Sequence, residues 1–103
     1  MAWRQDEEVL YEYRVCDTEV FRPQIEELRT VFRQSCDEWS RVLKIMGVLQ
    51  CCEFAFPIFT QLNDPQQRIV EGMHRSVAML ELSAESLPVL RVKYADWTPE
   101  TPP

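Results

Sequence analysis

Asn63-Asp64-Pro65-Gln66-Gln67-Arg68-Ile69-Val70 is the stretch on which the fold reading turns. Asp64 stands where a helix N-cap is wanted, Pro65 takes the first helical position, where its missing N–H costs nothing, and Gln67 occupies the third, as a capping box requires. Beyond it Ile69, Val70, Met73, Val77, Leu80, Ala84 and Leu87 recur at three and four spacing, the signature of one helical face. The segment therefore predicts a helix of about 20 residues that stops near Pro88. Glu71 and Arg75 form an i, i+4 pair on its polar side.

Upstream, Ile25, Phe32, Trp39 and Met46 repeat every seven residues, seconded by Leu28, Val42 and Leu49. That stripe predicts a long first helix, entered at Pro23 and ending between Leu49 and Cys52, roughly 40 Å at 1.5 Å per residue. Asp37 and Arg41 pair on its outer face, and Gly47 weakens it by up to about 1 kcal/mol, marking a bend or a close helix crossing. Between the two helices Phe54-Ala55-Phe56-Pro57-Ile58-Phe59 forms a Phe-rich corner that Pro57 interrupts. The expected architecture is mainly α, an antiparallel helical hairpin, with residues 1–94 as a single helical domain and 95–103 as a mobile Pro/Thr-rich tail.

The ends of that domain carry a second periodicity. In residues 8–15 Val9, Tyr11, Tyr13 and Val15 alternate with Leu10, Glu12 and Arg14, which favours a strand over the short helix that Val9, Leu10, Tyr13 and Cys16 also permit. After Pro88, Leu90, Val92 and Tyr94 alternate with Arg91 and Lys93 in residues 89–94. If the two segments pair as a short two-stranded ribbon, an α+β variant of the fold, Glu12 lies near Arg91 or Lys93 across the ladder. A lone ribbon is marginal in water and must pack on the helices or extend across a dimer.

Composition bounds the function. A chain of 103 residues with 46% apolar and 11% aromatic residues suits one folded domain. Two glycines supply little material for hairpins or phosphate-cradling loops, so an all-β fold is not expected. The net charge of -6 disfavours nucleic acid. With no run of 18 apolar residues and an acidic start at Asp6, Glu7 and Glu8, neither a membrane span nor a secretory signal is expected, and the location reads as intracellular, cytoplasmic or nuclear.

Chemistry is sparse. Cys16, Cys36, Cys51 and Cys52 lack the spacing of a zinc site, so no metal and no cofactor are expected, and Cys36 and Cys51 read as small core residues carrying reduced thiols. A cysteine nucleophile needs a base, and the single histidine, His74, reads as a boundary residue of the second helix. Carboxylate neighbours such as Glu26 and Glu27 read as helix-start charges. A thiol-dependent enzyme ranks last.

The expectation is a non-catalytic interaction module, a small acidic subunit or adaptor that binds a protein partner or forms a homo-oligomer. Its contact residues would be Phe32, Trp39, Phe54, Phe56 and Phe59, because a two-helix hairpin leaves part of each apolar stripe open. Trp97 joins them as a large ring in an acidic tail, where Thr98-Pro99 and Thr101-Pro102 are candidate phosphorylation sites. The alternative is an elongated dimeric RNA-binding protein, such as a viral antagonist of host defence, using Arg22, Arg29, Arg33, Arg68 and Arg75.

Overall fold

A computed structural model of the chain describes residues 11–51 and 56–93. Its order is β1 (Tyr11–Asp17), a 3-10 turn (Thr18–Val20), α1 (Arg22–Phe32), α2 (Cys36–Cys51), β2 (Ile58–Gln61), β3 (Ile69–Glu71), α3 (Met73–Glu81) and β4 (Ser86–Val92). The strands form one mixed sheet in the order β1-β4-β2-β3, with β4 antiparallel to β1 and parallel to β2. The protein is therefore α+β, with three helices and a four-stranded sheet among the described residues, and the mainly helical hairpin expected from the sequence is incorrect.

Three local features account for the correction. The long first helix is two helices. Ser35 accepts the N–H of Glu38 on Oγ at 3.3 Å and that of Trp39 on its carbonyl at 2.9 Å, so it caps a fresh helix start, and Asp37 and Glu38 sit in that first turn. The spacing of Ser35 and Glu38 matches a capping box as well as that of Asp64 and Gln67 does, and the Ser35 half of it is formed, while the Ser35 N–H goes to the Phe32 carbonyl.

At Asp64 the carboxylate closes a loop instead of a helix. Oδ1 accepts the N–H of Gln66 at 3.0 Å, and Oδ2 accepts the N–H of Arg68 at 3.0 Å and its Nε–H at 3.1 Å. Gln67 then adopts φ +51°, left-handed backbone that a helix does not continue through. The side-chain amide of Gln24, from α1, donates to the Gln67 carbonyl and accepts from the Ile69 N–H, both at 2.9 Å, much as a neighbouring strand would. Residues 69–71 are thereby drawn out as β3, and the helix waits until Met73.

Pro88 lies inside β4 rather than ending a helix. The bond from Thr18 N–H to the Glu85 carbonyl fixes the phase of the β1–β4 ladder, so residues 87, 89 and 91 bond toward β1 and Pro88 faces the β2 side. Pairing with β2 begins only at Val89, opposite Ile58, and the missing N–H of Pro88 interrupts nothing. Upstream, α3 ends in a Schellman motif: Ser83 takes φ +61°, Ala84 N–H donates to Met79 and Ser83 N–H to Leu80.

The core lies on one face of the sheet. Leu87 and Val89 of β4, Ile58 of β2 and Ile69 of β3 meet Phe21, Ile25, Phe32, Val42 and the buried run Val77–Leu80 of α3. Trp39, Ile45, Met46 and Leu49 pack against this cluster while partly exposed. Cys36 and Cys51 are exposed rather than core residues. Gly47 has open space around its Cα, so it marks no close crossing. Gly47→Ala should accordingly stabilise the protein by about 0.5–1 kcal/mol through helix propensity alone, measured as a rise in the urea midpoint at unchanged slope; a loss of stability would mean that the site is not open helix.

Candidate interaction surface

The ladder register determines what the other face of the sheet carries. Cys16, opposite Leu87, packs against the core, so Glu12 and Arg14 share the helix side with it. Tyr11, Tyr13 and Val15 therefore point away from the helices, opposite Val92, Leu90 and Pro88. Phe59 flanks Leu90 on the β2 side. Tyr11, Tyr13 and Val15 are 43%, 57% and 63% exposed, whereas Leu90, Val92 and Phe59 are half-buried. The result is an apolar, aromatic face spread over three adjacent strands.

Charge lies on the opposite face of the edge strand. On the helix side of β1, Glu12 is held by Arg14 and by Arg91 across the ladder, each at 3.0 Å. The cross-strand Glu12–Arg91 contact is the one expected for paired terminal segments. Arg91 also donates to the Leu62 carbonyl at 2.9 Å and is tied into the sheet, while Arg14 is largely exposed.

The aromatic residues proposed from the sequence fall in different places. Phe32 is 6% exposed, with its ring stacked on His74 at 4.2 Å between centroids. Trp39 is half-buried beneath the Arg33 guanidinium, 4.8 Å from the ring. Phe56 is exposed just before β2, and Phe59 belongs to the outer sheet face. Phe54, Trp97 and the 95–103 tail lie outside the described residues. Tyr11, Tyr13, Val15, Leu90 and Val92 were missed as a surface. Their alternation was legible, but hydropathy alone would turn that side inward.

The five arginines are distributed rather than gathered. Arg22, Arg29 and Arg33 do share a face of α1, but carboxylates interleave them. Arg22 meets Glu19 at 2.7 Å, and Glu81 of α3 bridges Arg29 at 3.1 Å and Arg33 at 3.4 Å. The hydrogen bond and charge of Arg22 hold the Glu19 carboxyl below its usual range, and Glu19 in turn raises Arg22. Arg68 pairs with Asp64, and Arg75 donates to the Pro57 carbonyl at 2.8 Å, with burial lowering its pKa. Shared carboxylates offset the Arg29–Arg33 repulsion and stitch α1 to α3.

Among the described residues His74 pairs with a carboxylate and not with a thiol, its Nε2 lying 2.9 Å from Glu38 Oε1. Among the described residues no cluster of His, Cys, Asp and Glu has metal-binding geometry, and no helix is long and apolar enough to cross a membrane. A cleft of about 430 Å³ opens between the end of β1, α1 and the α3–β4 turn, lined by Glu19, Arg22, Glu26, Arg29 and Glu85 among others. Its two arginines are already matched by Glu19, Glu26 and Glu81, so it offers no unopposed positive charge to an anionic ligand.

Comparison of the chain with protein-family models, with curated proteins and with solved structures finds no match.

Proposed function

We propose that this protein is a non-catalytic interaction module that docks a protein partner on the outer face of its sheet. The observation that carries the reading is the set Tyr11, Tyr13 and Val15, three large apolar side chains left exposed side by side on an edge strand and continued inward by Leu90, Val92 and Phe59. An isolated exposed apolar residue is ordinary, but a contiguous patch rich in tyrosine is what interface centres are built from. Burial of the patch supplies the affinity, and Glu12 and Arg14, on the opposite face of the same strand, add charge selectivity for a partner that reaches the strand edge. The contact surface thus moves from the helical stripe to the sheet, because Phe32 already serves the chain's own core.

An RNA-binding role has less support, since each of Arg22, Arg29, Arg33, Arg68 and Arg75 is engaged by a carboxylate or a carbonyl within the chain. Freeing them for phosphates would cost those contacts.

A photo-crosslinking amino acid in place of Tyr13 tests the reading in cells, with the same probe at exposed Val48 on α2 as control. A discrete adduct from position 13 and none from position 48 is the expected result. Equal labelling from both positions, or none from either, would count against the sheet face as the docking surface.

A further inference from the structure

The edge strand itself carries a more specific message. We infer that β1 pairs with β1 of a second copy, antiparallel about a twofold axis at Tyr13, with Glu12 of each copy facing Arg14 of the other. The inference rests on the interaction-module reading above and names the partner as another molecule of the same chain.

Among the described residues β1 is hydrogen-bonded on one side only, to β4. It is seven residues long and contains no proline. The opposite edge of the sheet, β3, is three residues long and joins β2 through an irregular register, the kind of feature that discourages further pairing. The two edges are therefore unequal, and β1 is the one suited to accept another strand.

Ladder phase and charge then select the register. Because the Thr18 N–H bonds to Glu85, residues 12, 14 and 16 direct their backbone groups to β4, and those of Tyr13 and Val15 point to the free edge. A second β1 must bond through those same odd-numbered positions. Centring the pair on Glu12 puts two carboxylates opposite each other, and centring it on Arg14 puts two guanidinium groups there, both unfavourable. Centring it on Tyr13 sets Tyr13 against Tyr13 and Glu12 against Arg14 twice over, in a non-hydrogen-bonded pair where side chains approach most closely. Centring it on Val15 sets Arg14 against Cys16 and forgoes the charge match. The sequence Glu12-Tyr13-Arg14 is thus self-complementary in one register.

Such pairing joins two four-stranded sheets into one and merges the Tyr11, Tyr13 and Val15 rows of both copies on the outer face. A strand-edge contact alone is small, so the dimer forms in the micromolar range or weaker. It is symmetric and closed across this edge.

Sedimentation of the full chain over micromolar to millimolar concentration tests the inference. The expected result is a monomer–dimer equilibrium that Arg14→Glu shifts toward monomer by about tenfold or more, through like charges in the only favourable register. Arg14 is largely exposed, so this variant keeps its fold. Glu12→Lys should weaken self-association similarly. An equimolar mixture of Glu12→Lys and Arg14→Glu should restore dimers as heterodimers, because each contact between positions 12 and 14 then joins opposite charges again. Tyr13→Pro removes an outward N–H and should also give monomers.

A wild-type chain that stays monomeric throughout, or a dimer equally strong in Arg14→Glu and Tyr13→Pro, would overturn the inference. A monomer that still gives a single heterologous adduct from position 13 would overturn it while leaving the broader docking reading intact. A dimer that responds to both charge changes and whose position-13 adduct joins two copies of the chain would support both readings.

Discussion

Gly72→Ala is expected to cost the protein about 2–4 kcal/mol, a large share of the roughly 5–15 kcal/mol that holds a domain together. Gly72 has φ +87° and ψ +26° and supplies the turn from β3 into α3. An L side chain there pays about 1–2 kcal/mol for the left-handed backbone alone. The added Cβ would also lie 3.2 Å from both Cα and Cγ2 of Ile58, a core residue of β2, and 3.0 Å from Arg75 Nη2. The arginine tip can move, although doing so disturbs its bond to the Pro57 carbonyl. The Ile58 backbone cannot move without shifting the parallel pairing of β2 with β4. In a thermal melt the expected drop is about 10–25 °C. A change within about 0.5 kcal/mol of wild type would show that the chain does not turn at Gly72 in this way.

Asp64→Ala should cost about 2–4 kcal/mol at neutral pH, because one buried carboxylate satisfies two backbone N–H groups and a guanidinium. Burial pushes the Asp64 carboxyl up, but the hydrogen bonds from the Arg68 side chain and from the Arg68 and Gln66 backbones, with the charge of Arg68, outweigh it and hold the group below its ordinary 3.8. The sign follows by linkage. A carboxylate whose folded pKa is depressed contributes stability that is fully present above the unfolded value and is lost as pH falls through the folded one. The stability gap between wild type and Asp64→Asn should therefore be widest near neutrality and shrink as the solution is acidified below about pH 4. Urea titrations of both proteins along that pH series check it. A gap that stays constant or widens in acid would contradict the assigned hydrogen bonds.

These two positions bound the stretch that misled the helical reading, and each shows what local rules omit. Asp64, Pro65 and Gln67 satisfy a capping box on paper, yet an Asp that binds the N–H groups two and four residues ahead closes a turn just as well. The choice is made by Gln24, 45 residues away from Ile69, whose side-chain amide holds the chain extended. No window of neighbouring residues contains that interaction. By contrast, the break between α1 and α2 was legible, since Ser35 and Glu38 have capping spacing, and it was hidden only by an apolar repeat that runs through it. Val77 and Leu80 were correctly placed on a buried helical face, while Ile69 keeps its burial in a strand instead.

For the candidate surface, the alternation of Tyr11, Tyr13 and Val15 with Glu12 and Arg14 announced a strand, and pairing with the segment around Arg91 could be anticipated from charge. Which side faced water could not. Hydropathy within β1 favours turning the tyrosines inward, but β4 is shared by two neighbours and its Leu87 and Val89 are fully buried. Once those two face the helices, the pleat and the register oblige Cys16, Arg14 and Glu12 to follow, and the tyrosine row is left outside.

The amino-acid order by itself determined where the chain can turn, which short runs favour helix or strand, and which charges can pair nearby, because propensity, capping and side-chain periodicity act over only a few residues. The tertiary structure alone decided that β2 lies parallel to β4, that residues 69–71 extend rather than coil, and that an apolar strand face is left exposed. Those outcomes depend on contacts between residues far apart in the chain, whose burial outweighs the local preference of any one segment.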